Sequence, residues 1–378
     1  MSTDHGIRGG EELGRFRPPS SGCTPDWMAA VLLGVALVLR AWAGVESVQA
    51  GALPVYAPAR PESGVIRIHD TELTQHLVHL WQDGFLRLHP PLRYLEYTVP
   101  TWFSGLCAGT ADVAVTGHEA WRSDLKAFEG IYGYPPLEIM FATGGFDRRK
   151  GNTPGVIVFV HKDNPLTKLT LQQLDGIFGA QRTGGWRGTH WTADAARGPE
   201  GNLRTWDQLG LTGEWAGRPI HPYGIDATLS GWSGLMQHVV FGGADKWNPA
   251  LKEIVRGGTE VPADAQIVAG VAADPDGIGF SFMRVVEENP GVRPLALSAG
   301  AAGPFVPPTA ETFQQRTYPL VNAVYLYVNR APGRPLPPRL REFLLYVLSR
   351  QGQQAVAEDG MYLPLPEAIA AEQRRKLD

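Results

Sequence analysis

The sequence predicts an α/β protein built from βαβ units with a parallel sheet. Short apolar, strand-like runs alternate with segments whose apolar residues recur at helical spacing. Three predicted helix starts follow directly on a strand or turn and carry small hydroxyls: Thr71, Thr101, and Thr228 with Ser230. The length of 378 residues is enough for two domains, and 43% hydrophobic against 19% charged residues is a globular composition. A net charge of -4 argues against a nucleic-acid partner, which would call for a basic face.

The N-terminal segment reads as a targeting sequence. Met28 to Leu39 is an apolar run of signal-peptide length, with Arg8, Arg15 and Arg17 upstream. Ala41-Trp42-Ala43 and Val48-Gln49-Ala50 are small-residue cleavage sites. Residues 1–50 are therefore expected to be a signal peptide and leader, cleaved after Ala43 or Ala50, so that the protein is exported to a periplasmic or other extracytoplasmic space. A retained N-terminal anchor is the alternative. Cys23 would leave with the leader. Cys107 then stands alone on the apolar side of a predicted helix and reads as an inert buried thiol.

The remaining elements follow in order. Residues 51–63 are a Pro-rich lead-in. Val65 to Ile68 predicts a strand, and Leu73, Leu77, Leu80 and Trp81 mark one face of the next helix. Arg93 to Thr98 predicts a strand, Phe103, Leu106 and Cys107 a short helix, and Asp112 to Val115 a third strand. Val156 to Val160 predicts another strand, after which Thr170 caps a helix carrying Leu171, Leu174, Ile177 and Phe178. Residues 180–204, rich in Gly, Trp and Arg without periodicity, are expected to form a long surface loop. Ile278 to Phe282 and Ala323 to Val328 predict strands, and Leu340 to Leu348 and Gln351 to Asp359 predict helices.

No catalytic or metal constellation emerges. Ser230-Gly-Trp-Ser233-Gly234 fails the nucleophile-elbow pattern, because Leu235 stands where its second glycine belongs. His76 and His79 lie three apart, but no third ligand or H-E-x-x-H accompanies them, so they are expected to face solvent. There is no P-loop and no dinucleotide fingerprint. Neither an enzyme nor a cofactor is expected. What does stand out is the helix-start pattern: several helix N-termini converging at the carboxyl ends of strands make an anion site without a formal cation.

Several stretches resemble the phosphate-type substrate-binding proteins of ABC transporters, in the type 2 periplasmic-binding-protein superfamily. They are VIVFVHKDNPLTKLTLQQLDGIFG, RTWDQLGLTGEWAGRPIHPYGID, VAADPDGIGFSFM, YPLVNAVYLYVN, and GTADVAVTGHEAW with FEGIYGYPPLEIMFATG. The likeness is collinear over roughly residues 64–370. It implies two α/β lobes joined by two crossing strands, with a ligand held in the cleft between them. Lobe I would comprise 64–150 plus 329–378 and lobe II 151–328, with the chain crossing near Gly151 and returning near Val328. The resemblance also implies a monomer that delivers a small oxyanion, phosphate first of all, to an ABC transporter permease.

By the same resemblance the ligand residues are Thr71, Thr101, His118, Thr228, Ser230 and Gly231. One departure stands out, because Ile225 occupies the place where the family pattern expects Arg, and Trp232 follows Ser230-Gly231 where Thr is expected. Losing one charge-assisted bond costs roughly 1.5–3 kcal/mol, one to two decades of affinity. A weaker ligand, or one dependent on pH through His118, is the expectation. Trp232 lies on the apolar stripe of its helix and is expected to pack in the core. The alternatives are a phosphate-ester hydrolase, or a signalling or partner-binding protein on the same scaffold.

Overall fold

Alternating burial in the first strand shows how the first sheet is built. In β1 (Gly64–Asp70) Ile66 and Ile68 are fully buried, while Val65, Arg67 and His69 take the opposite face. The structure, a computed structural model, describes residues 53–144, 155–225, 227, 231–254 and 261–378. The leader and its cleavage sites, Gly151, Thr228 and Ser230 lie outside the described residues.

β1 pairs in parallel with β2 (Leu92–Thr98) and β3 (Val113–Val115). β4 (Leu137–Gly144) pairs with a later strand, β14 (Ala323–Val328), which also joins β3, both antiparallel. With the short β15 (Tyr362–Pro364) the sheet runs β15-β4-β14-β3-β1-β2. Strands β1 to β4 therefore point the same way and end along one edge. On one face of this sheet the helix Gln75–Leu88 packs Leu77, Val78, Trp81 and Phe85 against Ile66 and Ile68. The C-terminal helices Pro338–Val347 and Arg350–Asp359 pack on the same core. The Pro-rich segment also belongs to this core: Leu53 and Tyr56 are buried, and the Tyr56 hydroxyl reaches His89 Nε2 at 2.8 Å and Glu342 at 2.7 Å.

The second sheet centres on β5 (Val156–His161), a continuous run of buried residues, as a strand covered on both faces requires. It runs β10-β9-β11-β5-β12, with β9 (His221–Ile225), β10 (Lys252–Ile254), β11 (Gly277–Phe282) and β12 (Val292–Pro294). β11 meets β5 antiparallel, so the sheet is mixed where the alternation predicted parallel strands. Two small ladders, β6 (Lys168–Thr170) with β13 (Ala296–Ser298) and β7 (Gly185–Arg187) with β8 (His190–Thr192), complete the strands. Thr170 caps the helix Leu171–Phe178 in a reciprocal box with Gln173, as its sequence predicts.

The segment 180–204 is not the irregular loop that its lack of periodicity suggested. It holds the β7–β8 hairpin and two short 3-10 turns. Asp175, buried on the preceding helix, orders it: Arg182 grips both carboxylate oxygens at 2.7 Å, and Arg197 Nε lies 3.1 Å away.

The two lobes meet where their connecting segments run side by side. Gly144 N donates to Asn322 O at 2.7 Å, and Gly155 bridges to Val321. β14 already lies in the first sheet, so the chain has returned by Ala323, ahead of the expected return at Val328.

Trp81 ties the first lobe to its C-terminal helices. It is fully buried, meets Phe141 edge-on at 5.0 Å, and donates from Nε1 to Gly352 O at 2.9 Å. Trp81→Ala is expected to lower stability by about 3–5 kcal/mol, read from the urea midpoint at constant slope.

Candidate functional site

A cavity of about 1110 Å³ lies between the lobes. The first lobe contributes the loop after β3, Gly117 to Arg122, and the second contributes the helix start Gly231–Leu235. The junction residues Asn322, Ala323 and Tyr325 also line it.

Two glycines set how closely the walls approach. A methyl group on Gly231 would stand 3.2 Å from His118 Cβ, and one on Gly234 would stand 3.0 Å from the Trp121 ring. Gly231 and Gly234 are three residues apart and share one helix face. That face is smooth, so the His118–Trp121 loop lies directly on it. His118 Nδ1 is 2.6 Å from Glu119 O; a carbonyl can only accept, so Nδ1 carries the proton. The imidazole sits between Trp121, at 5.1 Å, and the edge of Trp102, at 6.0 Å.

The structure thus brings together His118 and Gly231, one from each lobe. Thr71 and Thr101 do not border the cavity. Thr71 lies on the turn ahead of the helix, which begins at Gln75 with Thr74 in the N-cap position. The Thr71 amide donates to Thr74 Oγ1 at 3.3 Å. Thr101 is exposed at the start of the helix Trp102–Cys107 and makes no side-chain capping bond. Ile225, standing in place of the expected arginine, is buried in the second core and brings no cation. Trp232 does pack against that core, meeting Phe282 at 3.8 Å, but it is half-buried and also faces the cavity.

Arg122 and Lys126 border the cavity from the first lobe, and Trp186 borders it from the hairpin. Sequence reasoning missed all three. A basic residue recurring at i, i+4 on a helix reads as an ordinary solvated face. The cavity wall also carries Glu119 and Glu138, both pushed up by burial. Cys107 is half-buried, with its thiol pushed up by burial.

His221, Asp274 and Asp276 come within metal-binding distance of one another in the second lobe. Their charges are already matched. Lys252 Nζ sits 2.9 Å from Asp274, Tyr223 and His221 bond the same carboxylate at 2.8 Å, and Arg218 pairs with Asp276 at 2.8 Å. Against the cost of burial, those bonds from Lys252, Tyr223 and His221 hold Asp274 well below the usual carboxylate range. The group is an internal ion-pair network. His76 and His79 are exposed, as expected, and pair with Asp359 and Glu96.

Family comparisons agree with this geometry. Residues 106–351 match the family described as a PBP superfamily domain. The phosphate-binding protein PstS of Pseudomonas aeruginosa is 31% identical over 331 residues, covering 86% of this chain and 91% of that protein. The chain belongs to the phosphate-type family of periplasmic substrate-binding proteins. A more distant relative, the protein SphX of Synechococcus elongatus, is 25% identical over 278 residues, covering 72% of this chain and 69% of that protein. The crystal structure of PstS from Borrelia burgdorferi shares the two-lobed fold, with a TM-score of 0.50 at 15% identity over 80% of this chain and 99% of that one.

One buried carboxyl stands at the edge where the first-sheet strands end. Asp70 closes β1 and is fully buried, neither oxygen meets a partner at full hydrogen-bond geometry, and the Thr98 hydroxyl beside it offsets only part of the burial cost. Thr116, just past β3, is also buried with its hydroxyl unpartnered. Burial pushes the Asp70 carboxyl from 3.8 up to about 6. The folded state therefore holds this proton more tightly than the unfolded chain. The stability it contributes is fully present below about pH 4 and is lost as pH rises through about 6. Asp70→Asn keeps the side chain neutral throughout. It is expected to match the parent near pH 4 and to exceed it at pH 8 by up to about 3 kcal/mol in urea unfolding. An equal difference at both pH values would contradict this assignment.

Proposed function

We propose that this chain is an exported substrate-binding protein that captures a small oxyanion, phosphate, in the interlobe cleft and delivers it to an ABC transporter permease. The observation that carries the reading is the meeting of His118 and Gly231, one from each lobe, across the cavity wall. Ligand sites formed in this way are completed by closure, so capture and enclosure become one event. The anion would be held by the His118 ring and by the segment Thr228–Gly231; Thr71 and Thr101, which do not border the cavity, are left out of this site.

The family membership and the name carried by the Pseudomonas relative support phosphate as the ligand. The family is one of binding proteins, and the chain is a binding protein rather than an enzyme. The apolar run at Met28 to Leu39 supports export, and among the described residues no helix is long and apolar enough to cross a membrane. We read the protein as a monomer, as its family resemblance implies.

Ile225 favours a second reading, in which the cleft grips phosphate weakly and serves signalling or partner contact. A buried isoleucine supplies neither the fork nor the charge of a guanidinium. Calorimetric titration of the full chain with phosphate, sulfate and molybdate at pH 6 and pH 8 separates the two. Phosphate binding by the parent is expected, and His118→Ala is expected to weaken it about tenfold or more. Unchanged affinity in that variant would overturn the site. Silence of the parent with all three anions would favour the second reading.

A further inference from the structure

The β7–β8 hairpin reaches across the cleft mouth from the second lobe to the first. Trp186 presents its ring to the first-lobe helix Arg122–Tyr132. Arg122 Cζ lies 4.8 Å from the ring centroid and Lys126 Nζ 4.7 Å. Arg122 also donates from Nη1 to Gly243 O at 3.3 Å and stands 3.5 Å from Asp245, both in the second lobe. Two looser pairs flank this contact: His190 with Glu129 at 4.0 Å, and His238 with Glu119 at 3.6 Å.

The hairpin is seated firmly enough to act as a clasp. A methyl group on Gly243 would fall 1.9 Å from Trp186 O, so the hairpin backbone rests on a bare glycine backbone. Gly243 holds a φ of +81°, a region that side chains other than glycine rarely adopt. Trp191 braces Trp186 edge-on at 5.3 Å, and Arg187 pairs with Asp194 at 3.1 Å. The buried Asp175 with Arg182 and Arg197 anchors the segment that carries the hairpin.

We infer that Trp186 is a positioning residue whose contact with Arg122 and Lys126 clasps the two lobes together independently of ligand. Each cation–π contact is modest alone. Two on one ring, set between rigid bodies, shift the closing equilibrium by about tenfold. The clasp lies at the mouth rather than at the His118–Gly231 contact, so it changes how long the cleft stays shut and not what the cleft recognises.

The test is a pulsed spin-label distance between lobes, without added anion. The labels sit on cysteines at the exposed positions Asp83 and Lys162, in the full chain carrying Cys23→Ser and Cys107→Ser. Trp186→Ala and, as a surface change that spares the core, Lys126→Glu are each expected to add a population at longer distance. Trp186→Phe, which keeps a ring face, is expected to follow the parent. Parent-like distances in both Trp186→Ala and Lys126→Glu would overturn the clasp, as would a Trp186→Phe chain that opens as far as Trp186→Ala. A second readout rests on the phosphate reading above: release of bound phosphate should speed up about tenfold in Trp186→Ala, and unchanged release would count against the clasp. A parent that binds no phosphate would sink that reading while the distance test still decides the clasp.

Discussion

The approach of the His118–Trp121 loop to the Gly231–Gly234 helix face is the contact on which the cleft depends. A flat strip of two glycines lets side chains of one lobe lie on the backbone of the other. A side chain at either glycine would press on His118 or on the Trp121 ring, so the close approach relies on both being bare. The rest of the architecture serves this approach. Parallel strands β1 to β3 deliver the loop after β3 to the cleft edge, and the second sheet carries the helix start from the end of β9. The paired junction at Gly144 with Asn322 and Gly155 with Val321 keeps both lobes in register.

The electrostatics of the cleft follow from what the chain omits. Ile225 supplies no cation, and among the described residues Arg122 and Lys126, which border the cavity from the first lobe, engage Trp186. The inner wall carries Glu119 and Glu138, whose burial favours their neutral forms. Among the described residues, the two lobes offer an entering anion the His118 imidazole and the backbone of the Gly231 helix start. Affinity in such a site depends more on enclosure and desolvation than on a single strong pair.

Much of the fold was legible because it is written locally. The apolar runs of β5 and β11, the Thr170–Gln173 box and the helical stripe through Leu77 and Trp81 each sit within a few residues of chain. The hairpin was not legible, because its order comes from Asp175 pairing with Arg182 and Arg197, which are 7 and 22 residues away. Of the residues named from a family pattern, His118 and Gly231 lie against each other at the cavity wall. Thr71 and Thr101 read as anion-facing hydroxyls, but a Ser or Thr near a helix start looks the same in sequence whether it serves a ligand or a local turn, as Thr71 does with Thr74. Arg122, Lys126 and Trp186 left no signal, because their roles arise only when two lobes distant in sequence face each other.

Hydrogen–deuterium exchange of the full chain with and without phosphate tests the central claim most directly. Closure on an anion at the His118–Gly231 contact predicts slower exchange in residues 117–121 and 231–240 together, while the edge strand β2 stays unchanged. Protection confined to one lobe, or to the turns at Thr71 and Thr101, would contradict a ligand site made by the meeting of the two lobes.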